Sequence, residues 1–337
     1  MGTRLNLYFL SLQTFIYLQQ LIKHTKVQIM IFVTSNKEEI NPFLQLLLLL
    51  AYAVAGGLVF GLLAVVIVLM IYGLGMVSSL DLMLAGDPQY ITGLKIIQIL
   101  SSIGTFILPP ILLALTERKK LTEFYSFKRP QFLLLIMVIS IMIVSMPFME
   151  WTVFINQKMI LPNFLSGIEQ WMKEKEEMAM KMTIQLITVR NNFDFIVNLI
   201  MIAVLPAIGE ELMFRGGVQR SLNKAFNSPH LAIWLTAIIF SAIHVQFYGF
   251  IPRMLLGAGF GYLYYFSGSM WYAIFAHFLN NAYAVCAAFY MQKQNIPLNK
   301  ADEPIGFPWY GYLISAIITI ALFKFFKDNA SRDRKLD

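Results

Sequence analysis

Four polar side chains stand in runs that are otherwise strongly apolar: Glu210 in AIGEELMFRGG, His244 in FSAIH, and His277 and Asn281 in AHFLNN. A charge deep in a bilayer costs at least a few kcal/mol, so such groups persist mainly where they pair, line a cavity or do chemistry. Helical spacing separates the two adjacent glutamates. Residues four apart share a face, so Glu211 can pair with Arg215, whereas Glu210 is rotated by roughly 100° and points elsewhere. An unpaired carboxylate held away from water binds protons more readily, which suits it to act as a general base on a water molecule. His277 and Asn281 are also four apart, and together can donate hydrogen bonds to the oxygen that turns negative when water attacks an amide carbonyl. Phe240 shares a face with His244 and can wall its pocket. Taken singly, a helical histidine is more often a hydrogen-bonded packing residue. Lys95 can snorkel, and Asp194 and Arg253 sit at span ends, where a charge needs no chemistry to explain it.

The elements that must position these groups are set by composition. Of the 337 residues, 58% are apolar or aromatic and 13% are charged, about half the roughly 25% of a soluble domain. Lipid is therefore the expected solvent, and the expected fold is all-α, a polytopic transmembrane bundle. Eight apolar runs fit spans of about 20 residues: 43–75, 91–115, 131–148, 193–214, 231–248, 251–267, 270–291 and 309–326. The net charge of +7 sits in loops, the ordinary signature of cytoplasmic connections and anionic headgroups, and is not read as a nucleic-acid site. The single cysteine, Cys286, excludes an internal disulfide.

Arg118, Lys119, Lys120, Lys128 and Arg129 crowd one connection and place it in the cytoplasm. Both termini then face the cytoplasm, with Arg215, Arg220 and Lys224 on the same side, and the membrane is a plasma or inner membrane. The chain divides into an interfacial or extension segment (1–42, with no signal peptide), N-terminal transmembrane helices (43–148), an outward-facing connection (149–192), a core (193–326) and a basic tail (327–337). These boundaries leave Glu210 near the inner face, His277 deeper and His244 toward the outer face, at about 1.5 Å per residue. They converge if the fourth helix continues through its motif toward Phe226 and the fifth begins below the membrane.

The ordered set Glu210-Glu211-x-x-x-Arg215, Phe240-x-x-x-His244 and His277-x-x-x-Asn281 resembles the three motifs of the CPBP family, CAAX proteases and bacteriocin-processing enzymes that include the type II CAAX prenyl endopeptidase. The resemblance covers residues 193–291. It implies a helical membrane fold and intramembrane endopeptidase activity on membrane-associated peptide or protein substrates. Glu210 is then the base that activates water, assisted by His244; His277 and Asn281 form the oxyanion site; Glu211, Arg215 and Phe240 support them. No HExxH, GxSG or GxGD signature of other intramembrane proteases is present. A metal-free mechanism uses all four catalytic residues and needs no cofactor. The alternative places zinc on Glu210, His244 and His277. Two further alternatives are a non-catalytic peptide- or partner-binding protein and a proton-coupled transporter. The family alone does not imply prenylated substrates.

Overall fold

The computed structural model describes residues 39–84, 87–300 and 306–333. The expected N-terminal segment lies outside these through residue 38. The fold is all-α, and its helices follow the eight apolar runs: α1 Pro42–Tyr72, α2 Pro88–Thr116, α3 Phe132–Gln157, α5 Asn192–Phe226, α6 Pro229–Ala242, α7 Phe250–Ser267, α8 Met270–Lys293 and α9 Trp309–Asp333, with α4, Ser166–Ile187, in the connection before α5. Helices α1, α2, α3, α5 and α9 are long and apolar enough to cross a membrane. Large apolar side chains such as Leu58, Phe132 and Ile320 point outward, as lipid contact requires, and the protein is an integral membrane protein. Helix α4 buries none of its side chains fully and is rich in Lys and Glu, as expected of a solvated or interfacial helix.

Close backbone approach builds the bundle. Where α1 crosses α2, a Cβ on Gly56 would stand 2.1 Å from the carbonyl oxygen of Gly104, so only glycine fits. The core around Leu113, Tyr125, Ala207, Phe214, Phe240 and Met270 joins α2, α5, α6 and α8. A second core, including Val138, Phe260, Leu263, Ala273 and Phe326, joins α3, α7, α8 and α9.

The basic residues gather at one end. Glu39, just before α1, accepts hydrogen bonds from Lys119 and Arg220, each at 2.5 Å, and from Lys224. The Met270 amide at the start of α8 donates to Ser126 O, and Ser269 donates to Lys128 O. The start of α1, the connection after α2, the end of α5 and the α7–α8 turn are thereby tied together. Burial works against the charge on Glu39, but the hydrogen bonds from Arg220, Lys119 and Lys224 hold its carboxyl well below the ordinary range.

Three expectations are corrected. The fourth helix does not stop at the 214 boundary but runs to Phe226, as the convergence of the motifs required; Gly216 and Gly217 lie within it, with Tyr125 and Leu49 packed where their side chains would be. Arg215 therefore lies inside the bundle, fully buried, and not at the basic end. The helix of the 231–248 run ends at Ala242, so His244 sits in a turn.

Candidate active site

Helix α5 carries the glutamates on a short α-helical stretch, Leu205–Glu211, between two wider π-helical stretches, Leu199–Val204 and Leu212–Gln219. Such insertions change the helical phase and recur at functional sites. Pro206 has no amide hydrogen to give to the turn before it. Asn281 of α8 supplies one: its Nδ2 donates to Ile202 O at 2.9 Å, and its Oδ1 accepts from Asn280 at 3.1 Å. One of the two Nδ2 hydrogens is thus committed to the backbone and one remains.

Glu211 and Arg215 pair as the spacing predicts, Nη1 to Oε1 at 2.8 Å, with both side chains fully buried. Arg215 also donates to the Gly257 carbonyl at 2.7 Å and lies over the rings of Phe240 and Phe260. One turn on, Gln219 donates to Gly261 O at 3.2 Å, a second rung between α5 and α7. A Cβ on Gly257 would meet Phe240 Cδ1 at 3.2 Å and Arg215 Nη2 at 3.4 Å, so the missing side chain is what lets the guanidinium reach that carbonyl.

His277 joins the two glutamates. Its Nδ1 stands 2.8 Å from Glu211 Oε1, and its Nε2 stands 3.8 Å from Glu210 Oε2. A carboxylate can only accept, so Nδ1 carries the hydrogen and Nε2 is the nitrogen that faces Glu210. The separation from Glu210 is too long for a direct hydrogen bond, a spacing common in substrate-free sites. Spacing along α5 separates Glu210 from Glu211; the imidazole of α8 reconnects them.

His244 follows the same logic from the other side. Its Nδ1 is 2.8 Å from Phe240 O, which can only accept, so the neutral ring keeps the lone pair on Nε2. The next residue, Val245, turns the chain with φ of +53°, a left-handed conformation unfavourable to a β-branched residue. Phe240 stands between the histidines, 5.1 Å from the ring of His244 and 6.2 Å from that of His277. Phe260 stacks on His277 at 5.3 Å. Sequence reasoning missed Phe260; the signal was its place in the glycine-rich run of α7, whose small residues permit close approach to α5.

Among the described residues, no group of three His, Cys, Asp or Glu side chains is placed to hold a metal ion. The zinc set Glu210, His244 and His277 is not assembled in this geometry.

Fold and site define a polytopic helical membrane protein with a glutamate pair, two histidines and an asparagine inside the bundle. Residues 192–283, which contain every motif residue, match the family "Type II CAAX prenyl endopeptidase Rce1-like". A further match is "Uncharacterized protein YpbD" of Bacillus subtilis (strain 168), 25% identical over 112 residues, 32% of this chain and 53% of that protein. The chain thus spans about half the length of that relative. No solved structure matches the chain.

Proposed function

We propose that the protein is an intramembrane endopeptidase that hydrolyses peptide bonds of membrane-associated peptides or proteins with a water activated by Glu210, without a metal. The observation that carries this reading is the placement of Glu210 Oε2 opposite His277 Nε2, with the far side of that ring fixed by Glu211 and Arg215. Glu210 takes a proton from water as the oxygen attacks the scissile carbonyl, and later passes it to the leaving amine. His244 presents its Nε2 lone pair and assists that transfer. The carbonyl oxygen becomes an oxyanion facing His277 Nε2 and the remaining Nδ2 hydrogen of Asn281; because Nδ1 already carries a hydrogen toward Glu211, Nε2 donates only when the ring is doubly protonated, and Asn281 is the fixed donor. Glu211 and Arg215 orient His277 and do not touch the substrate.

The basic end of the bundle faces the cytoplasm in this reading, by the positive-inside rule, and both termini lie there. The test is cleavage of a peptide library by purified protein in detergent, with Glu210→Gln as the matched control. Cleavages present with the wild type and absent from the variant support the reading; equal cleavage by both overturns it.

A further inference from the structure

The turn that carries His244 is held by a helix outside the motif-bearing segment. Residues 243–249 join α6 to α7, at the end of the bundle away from the Glu39 clasp. Val245 stands there with φ of +53°, and a β-branched residue keeps that conformation only where its surroundings impose it. His244, its neighbour, inherits the direction of its ring from this turn. Whatever fixes the loop downstream therefore fixes the histidine.

Asn156, in the last turn of α3, closes on that loop. It is 2% exposed, its Nδ2 donates to Phe247 O at 2.8 Å, and its Oδ1 accepts from the Ile251 amide at 2.6 Å. A carbonyl can only accept and an amide hydrogen can only be donated, so the side-chain amide has one possible orientation. Nδ2 also lies 3.8 Å from Met159 Sδ. From the other side Ser241, buried in the last turn of α6, donates to Phe250 O at 2.7 Å, and the Trp171 ring of α4 stands 5.5 Å from that of Phe247. A buried carboxamide at the end of an apolar span is unfavourable unless its polar atoms are served. Here both are served by the main chain on either side of one short turn, Phe247 before the start of α7 and Ile251 just within it.

We propose that Asn156 is a positioning residue for the reaction: by fixing the main chain at Phe247 and Ile251 it holds Val245 in its left-handed turn and so keeps the His244 ring in the orientation the reaction uses. The inference rests on the protease reading and adds to it a residue of α3, outside the matched segment 192–283.

The experiment uses the full chain in detergent micelles, below the melting temperature of every variant. Ile141→Ala is the control, a buried α3 position about four turns earlier in the helix that loses packing without touching the loop. Two quantities are read: kcat and KM for a peptide that the wild type cleaves, and the NMR signals of isotope-labelled imidazole nitrogens, with His244 assigned by its loss in His244→Gln. Wild-type His244 should show one neutral tautomer, with the hydrogen on Nδ1. Asn156→Ala should show a mixture of tautomers, and its kcat should fall about 10 to 100-fold while KM changes less than about threefold, as expected when a reacting group is displaced and binding is not. Glycine adopts positive φ without strain, so adding Val245→Gly to Asn156→Ala should restore part of the lost kcat, which a merely structural asparagine would not produce. Should the alanine variant fail to fold, Asn156→Asp, equal in size and still an acceptor for the Ile251 amide, carries the same measurements. An unchanged His244 tautomer, a kcat loss equalled by Ile141→Ala, or no recovery with Val245→Gly overturns this inference and leaves the protease reading intact. Absence of any cleavage dependent on Glu210 overturns both.

Discussion

Asn281 donates to the carbonyl oxygen of Ile202 at 2.9 Å, in the turn of α5 that precedes Pro206. The residue proposed as an oxyanion donor is therefore also a splint for the proline-interrupted helix that carries Glu210. The two roles separate experimentally. Asn281→Ala should lower turnover by about 100 to 1,000-fold, as loss of an oxyanion donor does. It should also cost roughly 1 to 3 kcal/mol of stability, because a buried acceptor is left unserved. Thermal unfolding and turnover of the variant check this; a destabilised Asn281→Ala protein with undiminished turnover would mean that Asn281 acts only through the helix.

Arg215 and Glu211 are both fully buried, and Glu211 also holds His277. Arg215→Ala should cost roughly 3 to 5 kcal/mol by stranding a buried carboxylate. Unfolding in detergent measures it. An Arg215→Ala protein as stable as the wild type would contradict this.

The clasp at the basic end responds to acid. The Glu39 carboxyl is held below its ordinary value of 4.5, so its contribution to stability is present above that pH and is lost as pH falls toward the lowered folded value. Glu39→Gln should be less stable than wild type at neutral pH, and the gap should narrow on acidification below about pH 4. Melting temperatures of both proteins across pH 3 to 7 test the sign; a gap that widens in acid contradicts it.

Much of this was legible in the sequence because a bilayer limits what a chain can do. Eight apolar runs became eight helices, and the i, i+4 spacing of Glu211 and Arg215 gave their pair directly. The stop at Ala242 was not legible, since no glycine or proline stands between Phe240 and Tyr248; the turn is made by His244 bonding back to Phe240 and by a left-handed Val245. The continuation of α5 past Gly216 and Gly217 followed from the need for the motifs to converge and not from local sequence, because residues that usually interrupt helices are here packed by Tyr125 and Leu49. The bridge from His277 to both glutamates is a contact between two helices, and periodicity within either one cannot reveal it.

Metal content separates two mechanisms built on overlapping residues. If Glu210 works alone, purified active protein should carry far less than one equivalent of zinc and keep its turnover after chelation. A zinc site would contain about one equivalent, would release it on replacement of His244 or His277, and would tolerate Asn281→Ala because the metal itself polarises the carbonyl.

The central claim is that Glu210 activates the water, and Glu210→Gln addresses it most directly, since the amide keeps the size and hydrogen-bonding capacity of the side chain but cannot take up the proton. Turnover of the peptide library should fall to background while the melting temperature stays close to that of the wild type. Retained cleavage by a folded Glu210→Gln protein would contradict the account.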